Sequence, residues 1–144
     1  MRRALPLTLA VLLAAGGATP SLAAAKKKPK PIKGSYTATA NPDPTSTNPV
    51  ENKPCRPNLP GSKHTHPFTV PAKGTLHVEL NNQLDWSIAV RDPDGSDEGT
   101  ADGGLPNTKE IVDVPFKKKQ KVLIETCNFL GEPSVTVSYT FTFK

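Results

Sequence analysis

Residues 68–95 read FTVPAKGTLHVELNNQLDWSIAVRDPDG, and this stretch decides the fold class. Leu76, Val78 and Leu80 alternate with His77 and Glu79. Leu84, Trp86, Ile88 and Val90 form a second such run, with Asp85, Ser87 and Arg91 between and after them. Apolar residues at every second position put one side of an extended strand in a core and the other toward solvent. Asn81, Asn82 and Gln83 break the two runs in the manner of a hairpin. Asp92-Pro93-Asp94-Gly95 closes the stretch as a turn, because proline presets φ and glycine supplies a positive one.

Working outward, the last run repeats the pattern. Val135, Val137, Tyr139, Phe141 and Phe143 alternate with Thr136, Ser138, Thr140 and Thr142. Shorter segments at 34–40 (Tyr36, Ala38 and Ala40 on one face), 65–70 (Phe68 and Val70 inward), 109–114 and 121–126 complete the set. The segment 121–126, KVLIET, is continuously apolar at its centre, the mark of a strand covered on both faces. Residues 96–107 are acidic and glycine-rich and read as a flexible loop; 128–133, NFLGEP, reads as a turn. Seven or eight short strands separated by turn signals imply an all-β protein, an antiparallel β-sandwich of jelly-roll-like form. The expected core is Phe68, Leu76, Val78, Leu80, Leu84, Trp86, Ile88, Val90, Val112, Val114, Val122, Ile124, Val135, Val137, Tyr139 and Phe141.

The first 25 residues read as a signal peptide: Arg2 and Arg3, an apolar run from Leu5 to Ala15, then a small-residue cleavage site at Ser21-Leu22-Ala23 or Ala23-Ala24-Ala25. The run is shorter than the roughly 20 residues of a membrane-spanning helix. The mature chain is therefore expected outside the cytoplasm, secreted or in the cell envelope. Residues 26–33, KKKPKPIK, read as a basic arm kept extended by Pro29 and Pro31. Residues 34–144 are long enough for one domain, with a proline-rich loop at 41–64. The formal charge of +5 hides an asymmetry: from Gly34 onward there are 11 Lys and Arg against 13 Asp and Glu, a net of −2. Lys26, Lys27, Lys28, Lys30 and Lys33 read either as a solvated spacer or as a contact to an anionic polymer or headgroup. Nucleic acid is not an expected partner, since no basic face is interleaved with aromatics.

Cys55 and Cys127 are the two cysteines, and an exported chain with an even count implies a disulfide. The bridge would pin the proline-rich loop to the strand that Cys127 ends. Asp92, Asp94, Asp97, Glu98 and Asp102 crowd into one glycine-containing segment. Closely spaced hard oxygen ligands suit Ca²⁺, although the spacing is not that of an EF-hand; the alternative is a solvated acidic loop. His64 and His66 share a strand face at i and i+2, with His77 further on, and read as surface residues. Trp86 has the parity of Ile88 and Val90 and reads as core. No Gly-x-Ser-x-Gly elbow is present, and Ser62 beside His64 has no third partner in view, so no enzymatic activity is expected.

Phe68, Val70, Gly74 and Leu76, then Asp85, Trp86, Ile88, Val90, Asp92, Pro93 and Gly95, then Lys121–Glu125 and Tyr139–Phe143, resemble the motifs of the bacterial pre-peptidase C-terminal domain. The likeness covers 67–144, and Ser87 stands where that pattern has a second acid. The resemblance implies a jelly-roll-like sandwich attached to exported enzymes, non-catalytic, with calcium or polymer binding in some members. The function expected is a secreted binding or accessory module contacting a polymer, an envelope component or a protein. The alternative is an inhibitor of a secreted hydrolase that inserts the loop 54–61.

Overall fold

The structure is a computed structural model and describes residues 27–45, 55–81, 84–101 and 109–144. The signal segment, Lys26 and Asp102 lie outside the described residues. Among the described residues eight strands follow in order: β1 (Ile32–Thr39), β2 (Lys63–Val70), β3 (Gly74–Asn81), β4 (Asp85–Arg91), β5 (Asp97–Ala101), β6 (Lys109–Phe116), β7 (Gln120–Leu130) and β8 (Ser134–Phe143). They form two four-stranded sheets, ordered β1-β8-β3-β6 and β2-β7-β4-β5.

The pairing has a simple rule. β4 pairs with β5, β3 with β6, β2 with β7 and β1 with β8, all antiparallel. The chain is thus one long ribbon folded back at 92–96 and rolled into a sandwich, which is the jelly roll. Gly95 has φ of 89°, and its N–H donates to the Asp92 carbonyl at 2.9 Å, so the Asp-Pro-Asp-Gly turn sits at the fold-back point.

Between the sheets lie Leu76, Val78, Val114, Val137 and Phe141 from one layer and Val70, Trp86, Ile88, Val90, Val122 and Ile124 from the other, each at most 1 % exposed. Burying each of these larger side chains contributes about 1.5–3 kcal/mol. β6 and β2 are edge strands, and they carry Pro115 and Pro67. Proline is tolerated there because one side of an edge strand needs no donor, and it blunts pairing with another chain.

Several sequence expectations are corrected. Leu84 is 39 % exposed and not core, because it precedes β4 at a bulge between Asp85 and Trp86. Tyr139 is only partly buried. The segment 97–101, expected as loop, is β5: it pairs with β4 even though it offers little to the core. β7 runs through Asn128, Phe129 and Leu130, leaving only 131–133 as the turn. β6 continues through Pro115 and Phe116. β1 takes in Ile32 and Lys33, so those two residues of the basic segment are sheet. His64 and His66 lie in β2 and not in a surface loop.

Candidate functional site

The outer side of the β2-β7-β4-β5 sheet is roofed by residues 55–61 of the proline-rich loop. Cys55 and Cys127 form a disulfide, with Cα atoms 4.9 Å apart and 72 residues between them in sequence. Beneath the bridge, Ala89 and Phe129 join the two cysteines in a small second core. β7 is thereby covered on both sides: Val122 and Ile124 face one core, while Cys127 and Phe129 face the other. Asp43 anchors the loop from its other limb. Its carboxylate accepts from Thr45 N and Oγ1, from Asn58 N at 2.6 Å and from Leu59 N at 2.9 Å. Burial alone raises the Asp43 pKa, but the Thr45 hydroxyl and the three backbone N–H groups outweigh it and hold the carboxyl below its usual range.

The same roof buries charge. Arg91 has the parity of a solvent-facing residue, yet its side chain is only 4 % exposed. Its Nε donates to Asp97 at 2.6 Å, and its Nη1 donates to Glu125 and to the Cys55 carbonyl. Lys63 Nζ meets the other Glu125 oxygen at 2.8 Å. A cleft of about 570 Å³ lies over this network, walled by Pro57, Leu59 and Pro60.

The acidic segment is dispersed by these contacts. Asp97 serves Arg91, and Arg56 lies 4.0 Å from it. Asp92 and Glu98 both accept from Gln120 Nε2, at 3.0 and 3.3 Å. Asp94 accepts from Ser96 N and Oγ within the turn, and those bonds lower its pKa. Among the described residues no three His, Cys, Asp or Glu side chains gather as a metal group.

The basic residues are gathered instead. β1 begins where β8 ends, with Ile32 opposite Phe141, and Lys144 N donates to the Lys73 carbonyl at 3.2 Å. Gly74 pairs with both Phe116 and Phe143, and Val70 with Gln120. The topology therefore brings the 27–31 segment, Lys33, Lys73, the turn Lys117-Lys118-Lys119, Lys121 and Lys144 to one end of the sandwich. All these lysines are exposed. None is within ion-pair distance of a carboxylate among the described residues. The Asp92–Ser96 turn forms an acidic corner of that same end.

The histidines hold structural places. Tyr36 stacks on His66 with ring centroids 4.0 Å apart and on His64 at 5.5 Å, across the open edge where β1 lies against β2. Thr39 N donates to His64 Nδ1 at 3.3 Å. Burial, and then the neighbouring His64, lower the His66 pKa. His77 stands on the outer side of β3 with Asp113 at 2.9 Å and Glu79 at 3.3 Å. Partial burial disfavours its charge, but the hydrogen bonds and charges of those two acids prevail and raise its pKa.

Sequence reasoning singled out the amino-terminal lysines but not Lys73, 117–119, 121 and 144 as their neighbours; that grouping exists only in the strand pairing. It also passed over Asp43, Arg91 and Glu125; for Arg91 and Glu125 the one signal was charge within strongly apolar strands. A scan against protein-family models found no match, and a search of curated proteins found none either.

Proposed function

We propose that the chain is a non-catalytic binding module that attaches to a linear anionic extracellular polymer through its lysine-bearing end. The observation that carries this reading is the convergence of the arm, Lys73, Lys117–Lys119, Lys121 and Lys144 on one end without carboxylate partners among the described residues. Lysine is a flexible point charge and suits delocalised attraction to a polyanion. Each lysine near an anionic surface contributes up to about 1 kcal/mol, and salt screens it within about 10 Å at 0.1 M. The acidic corner at Asp92 and Asp94 favours a linear chain that tracks past it over a flat anionic membrane pressed on the whole end. The resemblance to pre-peptidase C-terminal domains, some of which bind polymers, points the same way.

Co-sedimentation with insoluble polygalacturonate and with anionic vesicles tests the reading. Polymer binding that weakens about 100-fold in K117E/K118E/K119E, as three lysines at about 1 kcal/mol each require, and falls with salt supports it. Binding unchanged in that variant, or binding to vesicles alone, refutes it.

One observation favours a second reading, inhibition of a secreted hydrolase. The disulfide, Asp43 and Arg91 pin the loop 55–61 at several points, while Leu59 remains 43 % exposed. A preorganised loop loses little entropy on insertion into an active site. Stoichiometric inhibition of a secreted protease or lytic enzyme, abolished by Leu59→Asp, is its test.

A further inference from the structure

β1 turns half of its backbone polar groups away from its own sheet. Ala40 N donates to the Pro133 carbonyl at 3.0 Å, on the β8 side. Thr39 N donates instead to His64 Nδ1 at 3.3 Å, and Asn41 N to the Gly61 carbonyl at 2.9 Å, both on the β2 side. Each residue of a strand points its N–H and C=O to one edge, and the next residue points them to the other. Lys33, Ser35 and Thr37 therefore direct theirs as Thr39 does, away from β8. Among the described residues none of these three N–H groups has an acceptor. His64 closes the run at Thr39 and the strand begins at Ile32, so the open window is 33–37, with Ser35 at its centre.

An open edge is a template for another chain, and the other three edges are guarded against it. β2 carries Pro67 and Lys63, and β6 carries Pro115, Lys109 and Asp113. β5 has five residues, with Asp97 and Glu98 among them. β1 runs from Gly34 to Thr39 with neither proline nor charge. We propose that β1 pairs antiparallel with β1 of a second copy of this chain, about a two-fold axis at Ser35, so that the β1-β8-β3-β6 sheets of two molecules become one. The window is complementary to itself in this register. Ser35 faces Ser35 and Lys33 faces Thr37, and each such pair exchanges both of its N–H···O bonds. Lys33 stands roughly 14 Å from its copy, four residues at about 3.4 Å each, beyond the roughly 10 Å screening length at 0.1 M salt. On the inner face Tyr36 comes beside Gly34 of the second copy, which has no side chain to oppose it. A charged peptide finds one lysine to meet in this window. An uncharged strand with small polar outer residues is what the window matches, and β1 is such a strand. The contact is smaller than a standard interface, so the dimer is weak and exchanges rapidly. It does not depend on the polyanion reading.

Sedimentation equilibrium of the oxidised protein tests the proposal. The expected result is a monomer–dimer equilibrium with a Kd of about 0.1 mM. Raising the salt to about 0.5 M does not weaken it, because backbone bonds and not ion pairs hold it. Ser35→Lys and Ser35→Glu each place like charges opposite one another across the axis and weaken self-association about fivefold, whereas an equimolar mixture of the two variants associates more tightly than either alone. Ser35 is exposed, so both variants keep the fold. Thr37→Pro removes an outward N–H that no bond within the chain uses, weakens the dimer about tenfold, and keeps the test decisive if a charged variant does not fold. A protein that stays monomeric at about 1 mM, a dimer indifferent to Thr37→Pro, or a Ser35→Lys variant that pairs no better with Ser35→Glu than with itself overturns the proposal.

Discussion

Replacing Arg91 by Met tests whether the roof over the outer sheet is real. The guanidinium is 4 % exposed and the Glu125 carboxylate 8 %. A surface pair with such partners would contribute 0–1 kcal/mol. A buried pair broken on one side costs about 3–5 kcal/mol, because the remaining charge is stranded away from water. Glu125 retains Lys63 at 2.8 Å, so the lower figure applies and Arg91→Met is expected to cost about 3 kcal/mol. For a domain of this size that is a fall in Tm of about 10–20 °C. Glu125→Met strands Arg91 with Asp97 and costs about as much. The double variant removes both buried charges, and the partners left behind reach solvent: the side chains of Lys63 and Asp97 are 42 % and 40 % exposed. It is expected to lose no more than about 1 kcal/mol, a coupling of several kcal/mol between the two sites. The assay is reversible urea unfolding of all four proteins at pH 7 with the disulfide oxidised. Additive losses in the double variant, or a loss under about 1 kcal/mol in Arg91→Met, would refute the reasoning.

Two further outcomes are expected. Replacing Cys55 and Cys127 together by Ala removes a cross-link over 72 residues and lowers stability by about 4 kcal/mol on the chain-entropy account, read by the same unfolding assay. His77, with its pKa raised in the fold, adds stability that is fully present below its unfolded value near 6.5 and is lost as pH rises through the folded value. Its side chain is 37 % exposed, so solvent screening holds the effect to a few tenths of a kcal/mol. NMR titration of its ring protons reads the pKa directly, and the stability gap between the native protein and His77→Gln should be larger at pH 5 than at pH 8.

The sandwich was legible because its strands obey a strict alternation. Leu76, Val78 and Leu80 are each buried to within 1 %, and so are Trp86, Ile88 and Val90. The disulfide followed from cysteine parity alone, and Cys55 and Cys127 are bonded. What alternation does not carry is what lies over a sheet's second side. Arg91 and Ser87 fall on the polar parity of β4 and are nevertheless buried, because a loop far away in sequence covers them. β5 was missed for the complementary reason: an edge strand such as DEGTA is held by backbone pairing and needs no apolar periodicity. The acids clustered in sequence read either as a calcium loop or as a solvated one, and the sequence did not show that Arg91, Gln120 and Ser96 take Asp97, Asp92 and Asp94 as partners. The clustering of lysines was hidden because register, not sequence distance, brings the start of β1 to the end of β8 and Lys144 beside Lys73.

The nested pairing also sets an order of assembly. The β4–β5 hairpin closes across only the 92–96 turn, whereas β1 must find β8 across nearly the whole chain, Ile32 opposite Phe141. Loop closure costs entropy that grows with separation, so zippering outward from the central turn is the favourable route, and the outermost pair waits for the inner ones. β8 lies between β1 and β3, so until its ten residues arrive both of those strands present unpaired edges. A chain that emerges amino terminus first must therefore hold β1 open until β8 has emerged. In that interval it is exposed to aggregation through the very strands that later seal the sheet.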